Sequence, residues 1–196
     1  AALGISHLYS SPYLQAGRGS LHGYDVVNPH RLNEELGGAE AHARFWEALG
    51  GRGLGQVLDI VPNHMAITGA ENPWWWDVLE NGPASRYAAY FDVDWDPPES
   101  RLRDSILLPV LGDHYGRVLE TGELRLERRD GTFTIRYHDH AFPVSPRTLD
   151  VLLGSAAERC QFDELAFTAD AFGQLPLSTA TDWTSVRRRH RDQEVL

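Results

Sequence analysis

The chain has 196 residues, 42% of them hydrophobic, and a formal net charge of -10, so one domain, or one domain with a large insertion, is expected around a real core. This acidity argues against a nucleic-acid backbone or an anionic membrane as a partner. The single cysteine, Cys160, excludes an internal disulfide and fits a reducing, cytoplasmic setting, and no run reaches the roughly 20 apolar residues of a membrane helix.

Ala1-Ala2-Leu3-Gly4 reads as the tail of a helix closing on Gly4. With no initiator Met and no leader pattern, the chain is expected to be a piece of a longer protein whose first βα unit is missing. Ile5–Tyr9 reads as a strand ended by Ser10-Ser11-Pro12, and residues 13–30 as a turn-rich loop. A helix is expected over Ala39–Leu49, with Ala41, Phe45 and Leu49 on one face and Gly50-Gly51 as its stop. The next strand, residues 55–61, is a short apolar run expected to be buried on both faces of a parallel sheet. Strand, helix and strand make a right-handed βαβ unit. The sheet's C-terminal ends are where such folds carry function, and Asn63 and His64 fall there.

Downstream, Asn72 to Leu79 gathers Trp74, Trp75 and Trp76. Tyr87–Trp95 alternates aromatic and acidic residues, and Ile106–Leu111 is apolar. Val118–Arg128 and Thr132–His138 flank Asp130-Gly131, a hairpin signal. From Arg147 the periodicity is helical, and Thr181–Val195 reads as an Arg-rich amphipathic helix. The expected layout is residues 1–71 as barrel segment, 72–150 as an inserted subdomain with an antiparallel hairpin, and 151–196 as a helical segment.

Several residue types here carry chemistry. Asp59 on the strand suits an orienting role. Asn63 can hold a loop. His64 lacks other His or Cys at ligand spacing, which argues against zinc. Gly23 allows a sharp turn between His22 and Tyr24. Tyr24 could offer a ring face to a pyranose while its hydroxyl hydrogen-bonds. Read alone, both runs fit packed loops equally well. The three adjacent Trp cannot all face one way, so at least one is expected in the core and the others are candidate sugar-stacking surfaces. His138 and His140 are expected on one strand face, without an evident third ligand. Arg187–Arg191 reads as a solvated helix face, and Cys160 as a small core residue.

Leu21-His22-Gly23-Tyr24-Asp25 followed by Asp59-Ile60-Val61-Pro62-Asn63-His64 resembles the α-amylase family of glycoside hydrolases and transglycosylases, the second run being like that family's first signature region. Asn72-Pro73-Trp74-Trp75-Trp76-Asp77-Val78-Leu79, Tyr90-Phe91-Asp92-Val93-Asp94-Trp95 and Leu107-Leu108-Pro109-Val110-Leu111-Gly112 narrow the resemblance to its maltooligosyltrehalose synthase branch. The resemblance implies an α/β fold, part of a (β/α)₈ barrel with a mixed subdomain inserted after the third strand. It also implies an isomerase reaction: intramolecular transglucosylation turns the reducing-end α-1,4 linkage of a maltooligosaccharide into α-1,1. His22, Tyr24 and His64 match substrate-binding positions. Asp25, Asp59 and Asn63 match supporting ones. No cofactor or metal is implied. The expected partners are a maltooligosaccharide and the remainder of the same protein.

A retaining mechanism needs two carboxylates about 5 Å apart. The family's fourth-, fifth- and seventh-strand signatures that supply its carboxylates are not found in this sequence, and Asp170 sits in a helical pattern without the matching Arg. No catalytic residue is therefore expected within these residues. Two rival readings stand beside the synthase: a hydrolytic relative such as a trehalohydrolase, and a non-catalytic sugar-binding or complementation piece.

Overall fold

The computed structural model describes residues 1–129 and 131–196. It divides into two compact units, Ala1–Pro73 and Trp74–Leu196, each described by itself.

In the first unit, β1 (His7–Ser10) runs parallel to β4 (Gly55–Leu58), with His7 opposite Gly55 and Ser10 opposite Leu58. The Asp59 N–H extends the ladder by donating to the Ser10 carbonyl at 2.9 Å. Between them lies α1 (Gly38–Gly50), so the strand-helix-strand unit is present. Its start follows from Asn33, whose Oδ1 accepts from the Glu35 N–H and caps the preceding turn. Leu49 is buried and Ala41 and Phe45 are half-buried on the same face. Two expectations are corrected. Residues 13–30 are not all loop: β2 (Leu14–Ala16) pairs antiparallel with β3 (Val26–Leu32), and Val26 and Val27 are buried there. The β4 strand is shorter than 55–61 and is not covered on both faces. Val57 is 53% exposed and Ile60 66%, because β1 is its one strand neighbour among the described residues.

The chain after β4 is tied back to β3. The Ala66 N–H donates to the Val26 carbonyl at 2.9 Å, and the buried Asn72 amide donates to the Ala66 carbonyl at 2.7 Å.

The second unit holds α2 (Pro73–Asn81), which begins at its boundary, then α3 (Tyr115–Glu120), β5 (Leu124–Arg129), β6 (Thr132–Tyr137), β7 (His140–Pro143), α4 (Leu149–Cys160), α5 (Asp163–Gly173) and α6 (Trp183–Val195). β5, β6 and β7 form an antiparallel sheet in chain order. The hairpin expected between β5 and β6 pairs Leu124 with Tyr137 and Arg129 with Thr132; its turn residue Asp130 lies outside the described residues. The strand expected from Val118 is helical up to Glu120, and Val118 is fully buried. His138 and His140 do not share a strand face. His138 sits in the β6–β7 turn with a left-handed φ of 48°, and no group of three or more metal-ligating side chains occurs among the described residues.

Leu149 and Leu153 of α4 and Ala169 of α5 form a core cluster of this unit, packed with Phe133, Val144, Leu152, Leu165 and Phe172. Cys160 is exposed rather than core, because α4 ends there and turns out through left-handed Gln161. The arginine run is likewise split by the helical period. Arg187, Arg188 and Arg191 face outward, whereas Arg189 is completely buried. Its Nε donates to Asn81 Oδ1 at 2.7 Å and its Nη1 to the Pro176 carbonyl at 2.5 Å. No helix among the described residues is long and apolar enough to cross a membrane.

Candidate functional site

Parallel pairing brings the C-terminal ends of β1 and β4 side by side. Tyr9 stands opposite Val57, and residues two apart on a strand share a face, so Tyr9 and Asp59 point the same way. The Tyr9 hydroxyl donates to Asp59 Oδ2 at 2.5 Å. The Tyr24 hydroxyl donates to the same oxygen, also at 2.5 Å.

Tyr24 reaches this point through a loop that only glycine allows. Gly23 has φ of 81°, and a Cβ there would lie 2.3 Å from the Pro12 carbonyl oxygen, so the backbone passes directly against the end of β1. The loop is closed by the Ser20 hydroxyl, which donates to Asp25 Oδ1 and accepts from the Gly23 N–H at 3.1 Å. The Gly17 N–H donates to the Asp25 carbonyl at 3.0 Å.

Both histidines grip the Tyr24 backbone. His22 Nδ1 accepts from the Tyr24 N–H at 3.0 Å, which places the neutral ring's proton on Nε2. The two rings stand 5.9 Å apart. His64 Nε2 lies 3.0 Å from the Tyr24 carbonyl and donates to it, and its Nδ1 is 3.3 Å from Asn63 Oδ1. His22, Tyr24, Asp59, Asn63, His64 and Asp25 are therefore brought together. Tyr24 is their hub, fixed at its N–H, its carbonyl and its hydroxyl.

The two phenols set the charge of the site. Hydrogen bonds from Tyr24 and then Tyr9 hold the Asp59 carboxyl below its ordinary value, with the Ile60 N–H adding to them. The bond to Asp59, followed by that to Tyr24, pushes the Tyr9 phenol above the usual tyrosine range. Asp59 is thus held as a carboxylate with one oxygen taken by two donors, an arrangement that orients the two phenols. The Tyr24 hydroxyl is spent on Asp59, leaving its ring as the part that can meet a ligand.

Trp74, Trp75 and Trp76 lie on α2. Trp75 is buried against Phe91, with ring centroids 5.1 Å apart, so at least one of the three is core. Trp74 stacks on Tyr87 at 5.1 Å and 5°, while Trp76 is half-buried. Sequence reasoning missed Tyr9 and Ser20. The available signal for Tyr9 was its place one residue before the strand end, on a neighbour of the Asp59 strand.

Residues 1–116 match the family described as alpha amylase, catalytic domain. The chain belongs to the α-amylase family. Within that family, a maltooligosyltrehalose synthase of known structure from Arthrobacter ramosus is 43% identical, with a TM-score of 0.61 over 73% of this chain and 18% of that one. A Mycobacterium tuberculosis relative, provisionally named a maltooligosyl trehalose synthase, is 44% identical over 149 residues, 76% of this chain and 18% of its own length. A malto-oligosyltrehalose trehalohydrolase of Arthrobacter ramosus is 36% identical over 72 residues, 37% of this chain and 12% of the relative. The chain spans about a fifth of the length of the synthases it matches. The α-amylase catalytic domain is a (β/α)₈ barrel, and the parallel β1–β4 pair with α1 is one βαβ unit of the kind that builds it.

Proposed function

We propose that this chain supplies part of the sugar-binding rim of an isomerase that converts the reducing-end α-1,4 linkage of maltooligosaccharides to α-1,1, the trehalose-forming transglucosylation. The observation that carries the reading is the fixation of Tyr24 at three points by Asp59, His22 and His64. This holds one aromatic face still at the mouth of parallel strands, and a rigid ring is what stacking on a pyranose requires. The identity with two synthases, over about three-quarters of this chain, favours this branch over the hydrolases.

In this reading His22, Tyr24 and His64 form the substrate wall, with Asp25, Asp59 and Asn63 supporting them. Residues 72–150 are the insertion after the third barrel strand. The nucleophile and the acid/base come from the remainder of the protein. The setting is cytoplasmic.

Product analysis on maltopentaose with the complete enzyme tests it. A non-reducing, trehalose-ended product is expected; free glucose or maltose as main product overturns it in favour of the hydrolytic reading. Residues 1–196 alone are expected to bind maltopentaose weakly without turning it over.

A further inference from the structure

Tyr9 has no counterpart among the residues picked out from sequence, yet it makes one of the shortest polar contacts in the first unit. Its hydroxyl and that of Tyr24 converge on a single oxygen, Asp59 Oδ2. The backbone around it is locked. Tyr9 is in register with Val57 on the paired strand, and the Asp59 N–H is bonded to the Ser10 carbonyl. Tyr9 and Asp59 therefore form a rigid bracket whose outer member is Tyr24. A carboxylate oxygen with one donor can swing about its χ torsions to follow that donor. An oxygen held by a second donor from a fixed strand cannot, and charge-assisted bonds of this kind are the stronger class.

We propose that Tyr9 is a positioning residue for sugar binding: by donating to Asp59 Oδ2 it fixes the carboxylate that orients the Tyr24 ring. This rests on the reading of Tyr24 as the sugar-facing group. It makes a specific claim, that the Tyr9 hydroxyl acts only through the Tyr24 hydroxyl.

A double-mutant cycle on the full polypeptide carrying these residues tests it, with maltopentaose affinity by calorimetry and KM and kcat as readouts. Tyr9→Phe is expected to weaken maltopentaose binding and raise KM by about three- to tenfold, with the folded state and its cooperative unfolding retained. In a Tyr24→Phe background, Tyr9→Phe is expected to add nothing. An unchanged affinity in Tyr9→Phe, or the same loss in both backgrounds, overturns the proposal. If Tyr9→Phe unfolds the protein, Asp59→Asn takes its place, since both hydroxyls act on that carboxylate: a loss of maltopentaose affinity that disappears in the Tyr24→Phe background supports the proposal, and the same loss in both backgrounds overturns it. The two readings fail separately. A wild-type protein that binds maltopentaose but releases reducing products sinks the synthase assignment and leaves the cycle intact. A wild-type protein with no affinity for maltopentaose sinks both.

Discussion

Two polar clusters in this molecule use similar groups to opposite ends. At the mouth of β1 and β4, Asp59 takes two phenols at an open strand end, where Tyr9 is 64% exposed. In the second unit, Arg189 is 0% exposed beside the fully buried Asn81, with Glu80, Gln193 and His190 around it. An exposed cluster can exchange its solvent for a ligand at little cost. A sealed one has no such option, and its groups turn to one another, with Arg189 Nη2 and Gln193 Oε1 left without a hydrogen-bond partner among the described residues. Exposure, more than the kind of residue, separates a site from a structural pin.

The comparison breaks most sharply at Arg189. Arg189→Met keeps the apolar stem but orphans Asn81 Oδ1 and the Pro176 carbonyl, so chemical denaturation should show a loss of about 2–4 kcal/mol. A loss under about 1 kcal/mol would mean that water reaches the pocket. At the rim, Gly23→Ala sets a Cβ against the Pro12 carbonyl at a positive φ. It should cost about 1–3 kcal/mol and displace Tyr24, weakening maltopentaose binding at least about tenfold. Unchanged binding would show that Tyr24 is not held by this turn.

Acid should separate the clusters next. Burial keeps the His190 imidazole below its ordinary value, reinforced by Arg86 and Arg189 and opposed by Asp77 and the Ala84 carbonyl. Its folded form binds protons less readily than its unfolded form, so its contribution is full above the unfolded value of about 6.5 and fades as pH falls towards the folded one. Asp59 also titrates lower folded than unfolded. Its contribution is complete above an unfolded value near 3.8 and is lost only as pH falls through its lowered folded value. Tyr9 titrates higher when folded, so its link holds below about 10 and is lost as pH rises through the raised value. Unfolding midpoints measured against pH should therefore weaken first near His190, and His190→Gln should remove that step. Tyrosinate absorbance should show the Tyr9 phenol ionising late, and that late step should return to the ordinary range in Asp59→Asn. The smallest effect is expected at exposed Cys160, where Cys160→Ser should change stability by under about 0.5 kcal/mol.

Sequence alone determined the parallel βαβ unit, because an apolar run bounded by Gly55 and Pro62 and a 3.6-residue helical period are local signals. Through its resemblance to the α-amylase family it also singled out polar residues that the structure gathers around Tyr24, in the runs Leu21 to Asp25 and Asp59 to His64. What it could not supply were contacts between residues far apart in the chain. The Tyr9–Asp59 bond spans 50 positions and the Arg189–Asn81 bond 108; neither leaves a trace in local patterning. The Arg run looked solvated because charge is a local property, whereas the burial of one arginine in it depends on which face of α6 meets α2. Likewise β4 looked doubly covered from its apolar composition, yet coverage is decided by how many neighbours a strand has. Tertiary structure alone settled those questions, because burial and hydrogen-bond pairing are properties of surfaces brought together, and not of the order of residues along the chain.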